Sequence, residues 1–368
     1  MKHARRVACD ILNVDRFTED NPLDIPNYGG TGVTHPSMLY FPEGVDGYKY
    51  WMVYTPYPPA SEEEPCIARS NNGVDFVDTG ISNPVVTKTE DWEDVIHDPN
   101  WIKDGKKWHM FYGALDNTCP VVPWITRKVT NSWKMLKKCM YYLYYGAIGK
   151  IHSSWKHHIA YVESTNGKTW IDKQKVLDHN TIVNNCKINN EYIDRGGLSP
   201  ASIKVGNAFY VFFAGQKDGS PRTWGIYYAS GSSPTNLSIG NNGNPILKKT
   251  SNSYDDPFFQ HLDVFFWNGD YWLIYQCSTT DDPNHGQFAL AKFENFPNIL
   301  NKCIENPIMS YDDEDAEDWE KRACYKPGPI VVCNKLLLYY SAYTRAPETG
   351  LNHRIGHARI LFTWERGI

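Results

Sequence analysis

No CxxC pair occurs in this chain, although it holds nine cysteines (Cys9, Cys66, Cys119, Cys139, Cys186, Cys277, Cys303, Cys324 and Cys333). That argues against a zinc knuckle or a redox dithiol of the usual spacing. There is no apolar run of about 18 residues, so no membrane-spanning helix is expected. The formal net charge is only −5, too small to draw the whole chain to nucleic acid or to an anionic membrane. The opening MKHARRVACDILNVDRF is basic but lacks an apolar stretch of secretory length. No leader is therefore expected, and the odd number of cysteines points to reduced thiols in a protein made in a cytoplasm. An extracellular role would then require lysis or a non-classical route. Helical periodicity is scarce as well.

Aromatic strands are abundant. Aromatics make up 14% of the 368 residues. One phrase occurs five times: an apolar strand, a short polar turn, then a denser aromatic strand. The copies are HPSMLYFPEGVDGYKYWMVY, HDPNWIKDGKKWHMFY, LSPASIKVGNAFYVFF, HLDVFFWNGDYWLIY and YKPGPIVVCNKLLLYY. Aligned on their first strands they start at His35, Asp98, Ser199, Asp263 and Lys326, with steps of 63, 101, 64 and 63 residues. A third strand follows in each unit, and several of these end in a turn such as Ser70-Asn71-Asn72-Gly73. One unit cannot bury its own apolar faces, so the units must pack on one another. The expected fold is all-β: a five-bladed β-propeller over residues 31–368, preceded by an N-terminal arm, residues 1–30. Arg6–Ile11 of the arm is the expected closing strand.

The long step places an insertion at residues 115–157, in blade two. It is rich in cations (Arg127, Lys128, Lys134, Lys137, Lys138, Lys150, Lys156) and rings (Trp124, Trp133, Tyr141, Tyr142, Tyr144, Tyr145, Trp155). Two readings stand: a hairpin packing on the propeller or on a second subunit, or the wall of a groove for an anionic glycan. One basic loop on an acidic chain does not make a nucleic-acid binder.

In a propeller the first strand of each blade lines the axial channel, so side chains at the strand starts converge at its mouth. The converging set is His35, His97, Asp98, Leu198, Ser199, His261, Asp263, Tyr325 and Lys326, with Asp194 and Arg195 just upstream of blade three. Polar groups gathered in a concavity are the default binding site. Among the rings, Trp51, Tyr54, Trp108 and Trp272 read as core between blades. Tyr57, flanked by prolines, is the candidate for stacking on a sugar. His97 and His261 with Asp98 or Asp263 have the donor types of a metal cage. His152, His157 and His158 read as solvated. The acidic run Asp312 to Asp318 reads as an exposed loop; it lacks the EF-hand pattern.

The layout of these strand starts resembles the five-bladed propellers of the glycoside hydrolase clan that includes arabinanases, xylosidases and levansucrases. The resemblance implies an Asp in a D-P-[ST] phrase in blade one, an Asp in blade two and a Glu in an E-G-P phrase in blade three. It also allows an axial cation, calcium or another. Here blade two keeps Asp98-Pro99, but blade one has His35-Pro36-Ser37 and blade three has Leu198-Ser199-Pro200. Two-carboxylate hydrolysis cannot run on Asp98 alone; Asp194 or Asp263 would have to stand in.

Blade one also resembles the propeller platform of receptor-binding and minor tail proteins of phages of Gram-positive bacteria. The matching residues are His35-Pro36-Ser37, Gly47-Tyr48, Tyr50-Trp51-Met52, Tyr54-Thr55-Pro56-Tyr57-Pro58, Glu64-Pro65 and Ser70 to Gly73. That resemblance implies a virion protein binding a bacterial surface glycan, such as decorated teichoic acid, beside other tail proteins. The leading expectation is therefore noncatalytic glycan binding through His35, Tyr57, His97, Asp98, Arg195, Ser199, His261, Asp263, Tyr325 and Lys326, with no required cofactor. The alternatives are a glycoside hydrolase using Asp98 with Asp194 or Asp263, and a structural platform.

Overall fold

The computed structural model describes residues 6–57, 63–116, 156–219, 221–280, 285–346 and 350–363. Most of the insertion, with His152, lies outside them. Five antiparallel sheets form the blades of an all-β propeller. Blade one is Gly32–Val45, Tyr48–Tyr57 and Cys66–Ser70, with an outer bridge from Arg69 to Val77. Blade two is Val95–Asp104, Lys107–Asp116, Lys156–Ser164 and Ile171–Leu177. Blade three is Arg195–Val205, Ala208–Lys217, Thr223–Ser233 and Asn236–Ile239. Blade four is Phe258–Trp267, Asp270–Ser278, Gln287–Asn295 and Ile299–Cys303. Blade five takes Ala323–Val332, Lys335–Ala346 and Gly350–Phe362 from the end of the chain.

The fourth strand of blade five comes from the N-terminal arm. It is Ile11–Arg16, antiparallel to Gly350–Phe362, not Arg6–Ile11. Arg6–Val7 runs parallel to the outer strand of blade four instead. The arm thus straps two blades together and covers two open edges. Cys9 is bonded to Cys303 at the same seam, which corrects the expectation of reduced thiols. Cys66, Cys186, Cys277, Cys324 and Cys333 are free.

Local sequence explains the turns. Asp46-Gly47 and Asn268-Gly269 both have positive φ at each residue, as a two-residue hairpin requires. In Ser70-Asn71-Asn72-Gly73 the serine hydroxyl accepts from Gly73 N at 2.9 Å and Asn72 Oδ1 accepts from Val74 and Asp75 N. Ser164, Asn166 and Gly167 repeat this arrangement in blade two. Second-strand aromatics form the core between blades: Trp51, Tyr54, Trp108 and Trp272 are all buried. Trp51 and Trp108 lie 5.0 Å apart across the first interface; such a pair adds about 0.5–1.5 kcal/mol beyond its burial.

The acidic loop before blade five is exposed at Asp312 to Asp315, as expected. It also has a structural role. Arg16, itself buried, reaches Asp313 at 3.0 Å, Glu320 at 3.3 Å and Asp315.

Candidate active site on the propeller axis

Every inner strand breaks register with its neighbour near its start. The breaks fall at Thr34/Ser37, His97/Asn100, Leu198/Ala201, Gln260/Leu262 and Cys324/Lys326. Each is a bulge that re-aims one side chain. In four blades the bulged residue has positive φ: His35 at 56°, Asp98 at 51°, Ser199 at 51° and His261 at 38°. Non-glycine residues seldom hold that conformation, and a four-fold recurrence marks a shared functional constraint. The equivalent positions are therefore His35, Asp98, Ser199, His261 and Tyr325. Asp263 and Lys326, which a strict 63-residue period selects, sit farther down their strands.

The bulges aim their side chains at one point. Asp98 is its centre. Oδ1 lies 3.1 Å from His35 Nε2 and 3.1 Å from His261 Nδ1. Oδ2 accepts from the Ser199 hydroxyl at 2.8 Å and contacts His97 Nδ1 at 2.9 Å. His35, Asp98, Ser199 and His261 are all buried, and the Tyr325 ring lies 4.1 Å from that of His261. His35 Nδ1 meets Thr55 Oγ1 at 2.8 Å and Glu63 Oε2 at 3.7 Å. Gly113 makes room for His97: a Cβ there would stand 2.4 Å from the imidazole.

The electrostatics follow from burial and crowding. Burial alone would raise the Asp98 carboxyl, but the charges of His35 and His261 and hydrogen bonds from His261 and His97 hold it well below the usual carboxylate range. Burial lowers His35 and His261. Burial also opposes charge on His97, yet its hydrogen bond to Asp98 and the charges of Asp98 and Glu63 raise it. Burial pushes Glu63 up to about 7.

Ser199, His261 and Asp98 do not form a nucleophilic relay. Ser199 Oγ and Asp98 Oδ1 both approach the same nitrogen, Nδ1 of His261, at 2.9 and 3.1 Å. A relay needs the serine and the aspartate on opposite ring nitrogens. A cation fits better. His35, Asp98 and His261 each present one donor atom within 4.8 Å of the others. The buried His35 Nε2 faces Asp98 but makes no hydrogen bond among the described residues, which leaves its lone pair available. Two imidazoles and one carboxylate suit a divalent transition ion.

The other predicted residues lie elsewhere. Asp263 belongs to the plug one layer below: Asn100 donates to it at 3.1 Å and Val264 N at 2.8 Å. Lys326 Nζ is tied to Leu262 O at 2.7 Å. Asp194 stands outside the cluster, held by Lys217 and Asp218 N. Arg195 lies 3.6 Å from Asp218. Tyr57 stacks on His353 with centroids 3.8 Å apart, so one face of its ring is taken. His157 and His158 are buried rather than solvated, because their strand faces a packed interface. Glu63 and His353 went unnoticed in the sequence. Nothing in the run Glu62-Glu63-Glu64 distinguishes its middle member.

No protein-family model matches the chain. A curated relative, the A type blood N-acetyl-α-D-galactosamine deacetylase of Flavonifractor plautii, is 43% identical over 56 residues. That stretch is 14% of this chain and 7% of the relative, so the chain matches a small part of that protein's length. Among solved structures, an N-acetylgalactosamine deacetylase from F. plautii, in complex with blood group B trisaccharide, superposes with a TM-score of 0.58 at 15% identity, covering 95% of this chain and 94% of that one. A thermostable family-43 glycoside hydrolase gives 0.60 at 15%, covering 93% and 92%. The catalytic domain of the Coprinopsis cinerea GH62 α-L-arabinofuranosidase gives 0.58 at 12%, covering 95% and 98%. At these identities the likeness is one of fold. The chain shares the five-bladed propeller of the arabinanase and xylosidase clan.

Proposed function

We propose that this propeller is a metal-dependent hydrolase that removes an acyl group, such as N-acetyl, from a sugar in a glycan. The convergence of His35 Nε2, Asp98 Oδ1 and His261 Nδ1 carries the reading. A divalent ion held by these three would act as a Lewis acid toward an acyl carbonyl oxygen. Glu63, beside His35, is the acid–base candidate: its carboxylate takes a proton from the attacking water and returns it to the leaving amine. His97 and Ser199 orient Asp98, and Tyr325 walls the cluster. The short match to a sugar N-deacetylase and the full-length likeness of fold support this class.

Glycosidic cleavage is the second reading, supported by the fold likeness to glycoside hydrolases. It needs two free carboxyl groups about 5–5.5 or 6.5–9.5 Å apart. Asp98 is fully engaged, and Asp194 and Asp263 do not join it. A noncatalytic role finds less support, since the proteins of like fold named above are enzymes that act on glycans. The placement on a phage tail rests on the blade-one phrase alone; mass spectrometry of purified particles tests it.

The deciding experiment supplies the chain with zinc or manganese and with N-acetylgalactosaminides, arabinan and xylan. Acetate release that stops with chelator and in Asp98→Ala supports the proposal. Release of reducing sugar without acetate supports the second reading. Saturable binding without either product would return the chain to a noncatalytic role.

A further inference from the structure

A second groove lies between blades two and three, at the end of the propeller away from the axial cluster. Asp98 and Asp104 share one inner strand. Six residues at about 3.3 Å each put the groove roughly 20 Å from the cluster. It encloses about 420 Å³, within the range of small-ligand pockets. Asp104, His109, Tyr161, Glu163, Asp172 and Gln174 line it, and the turn Ser232–Thr235 closes one side.

Its walls mix acceptors with donors: Lys107, Ser232, Ser233 and Thr235 line it beside the carboxylates. Lys107 Nζ donates to Glu163 at 3.0 Å, and the Tyr161 hydroxyl donates to Glu163 Oε2 at 3.0 Å. Having spent its proton there, the Tyr161 oxygen accepts from His109 Nδ1 at 2.7 Å. A neutral imidazole that donates through Nδ1 presents a bare lone pair at Nε2. That nitrogen is buried and has no partner among the described residues, and His109 as a whole is 3% exposed. Burial keeps His109 below its ordinary pKa, which favours the neutral form. Asp104 is engaged by Lys204 at 2.6 Å. Asp172 and Gln174 are exposed at the rim.

A ligand here must offer both donors and acceptors. Three lining carboxylates (Asp104, Glu163, Asp172) against the one lysine, Lys107, disfavour negative charge. A hydroxyl-rich neutral saccharide meets both conditions. We propose that this groove is a second saccharide-binding site, one that holds a neighbouring part of the glycan while the axial cluster acts elsewhere on it. The inference rests on the glycan reading given above.

The test compares the full chain with the double variant Asp172→Gly, Gln174→Ala. Glycine takes the positive φ of Asp172 without strain, and both positions are exposed, so folding should be preserved; thermal melting checks that. Each protein is titrated by calorimetry and saturation-transfer NMR with xylotriose, arabinotriose and triacetylchitotriose. The expected result is at least a five-fold loss of affinity for one of these sugars in the variant. Turnover of a small substrate at the axial site should be unchanged. Indistinguishable titrations in two proteins that both bind sugar and turn over substrate overturn this site alone. A groove that retains calcium or spermidine but no sugar also overturns it. If neither protein binds any sugar or releases any product, the glycan reading falls, and this site falls with it.

Discussion

Asp98 of blade two and His261 of blade four stand 163 residues apart in the chain, yet their side chains meet on the propeller axis at 3.1 Å. The contact exists because each residue occupies the bulge of its inner strand with a positive φ. A bulge costs one ladder hydrogen bond and gains a side chain turned inward. Five such bulges around a ring make a site that no single blade could build.

Asp98→Asn should lose bound divalent metal and product release together. Removing the charge leaves His35 and His261 without the anion that draws a cation between them. Metal content measured by plasma spectrometry should fall at least ten-fold, with cooperative melting preserved. Full metal retention in this variant would disprove the assigned ligand set.

Glu63→Gln should separate chemistry from metal binding. The amide keeps the shape but cannot carry a proton. A loss of about 10²–10⁴ in kcat is expected for an acid–base residue, with metal content unchanged. A change confined to KM would assign Glu63 to substrate binding instead.

Gly113→Ala should displace His97. The added methyl would stand 2.4 Å from the imidazole, too close for any rotamer in place. Asp98 would lose one of its orienting partners. The expected readout is a lower kcat/KM, with a crystal structure showing the His97 ring rotated away.

Cys9→Ser with Cys303→Ser should weaken the seam between the arm and blade four. The bond closes a loop with a sequence separation of 294 residues. A disulfide typically contributes about 2–4 kcal/mol. Denaturant titration of the wild-type chain with and without reductant should show the same shift as the double variant.

Arg16→Met should destabilise the fifth blade. Glu320 is fully buried and bonds to both Arg16 and Tyr340. Breaking a buried ion pair by removing one partner costs about 3–5 kcal/mol. Hydrogen exchange should rise first in Ile11–Arg16 and Gly350–Phe362.

Blade register was legible where proline marks it. His35-Pro36, Asp98-Pro99 and Ser199-Pro200 pin the bulge in the first three blades, since a proline nitrogen cannot donate to the ladder. Blade four has no proline there, and in blade five Pro327 follows Lys326, which is itself one residue past the bulge at Tyr325. A constant period fits Asp263 as well as His261, since a shift of two residues keeps the same face. It fits Lys326 as well as Tyr325, one residue away, because only the bulge itself sets which of the two turns inward. The Cys9–Cys303 bond could not be read from spacing across almost the whole chain. Glu63 was illegible for a related reason: loop geometry, not local pattern, chooses among three adjacent glutamates.

The sequence by itself determined the all-β propeller, the number of its blades and the aromatic core between them. Those depend on strand pattern and turn chemistry, which are local and repeat in register. Only the tertiary structure decided which residues share the axis, which cysteines pair and which strand closes the ring. Each of those is a meeting of segments distant in the chain, brought about by ring closure and by bulges whose conformation no short stretch of sequence declares.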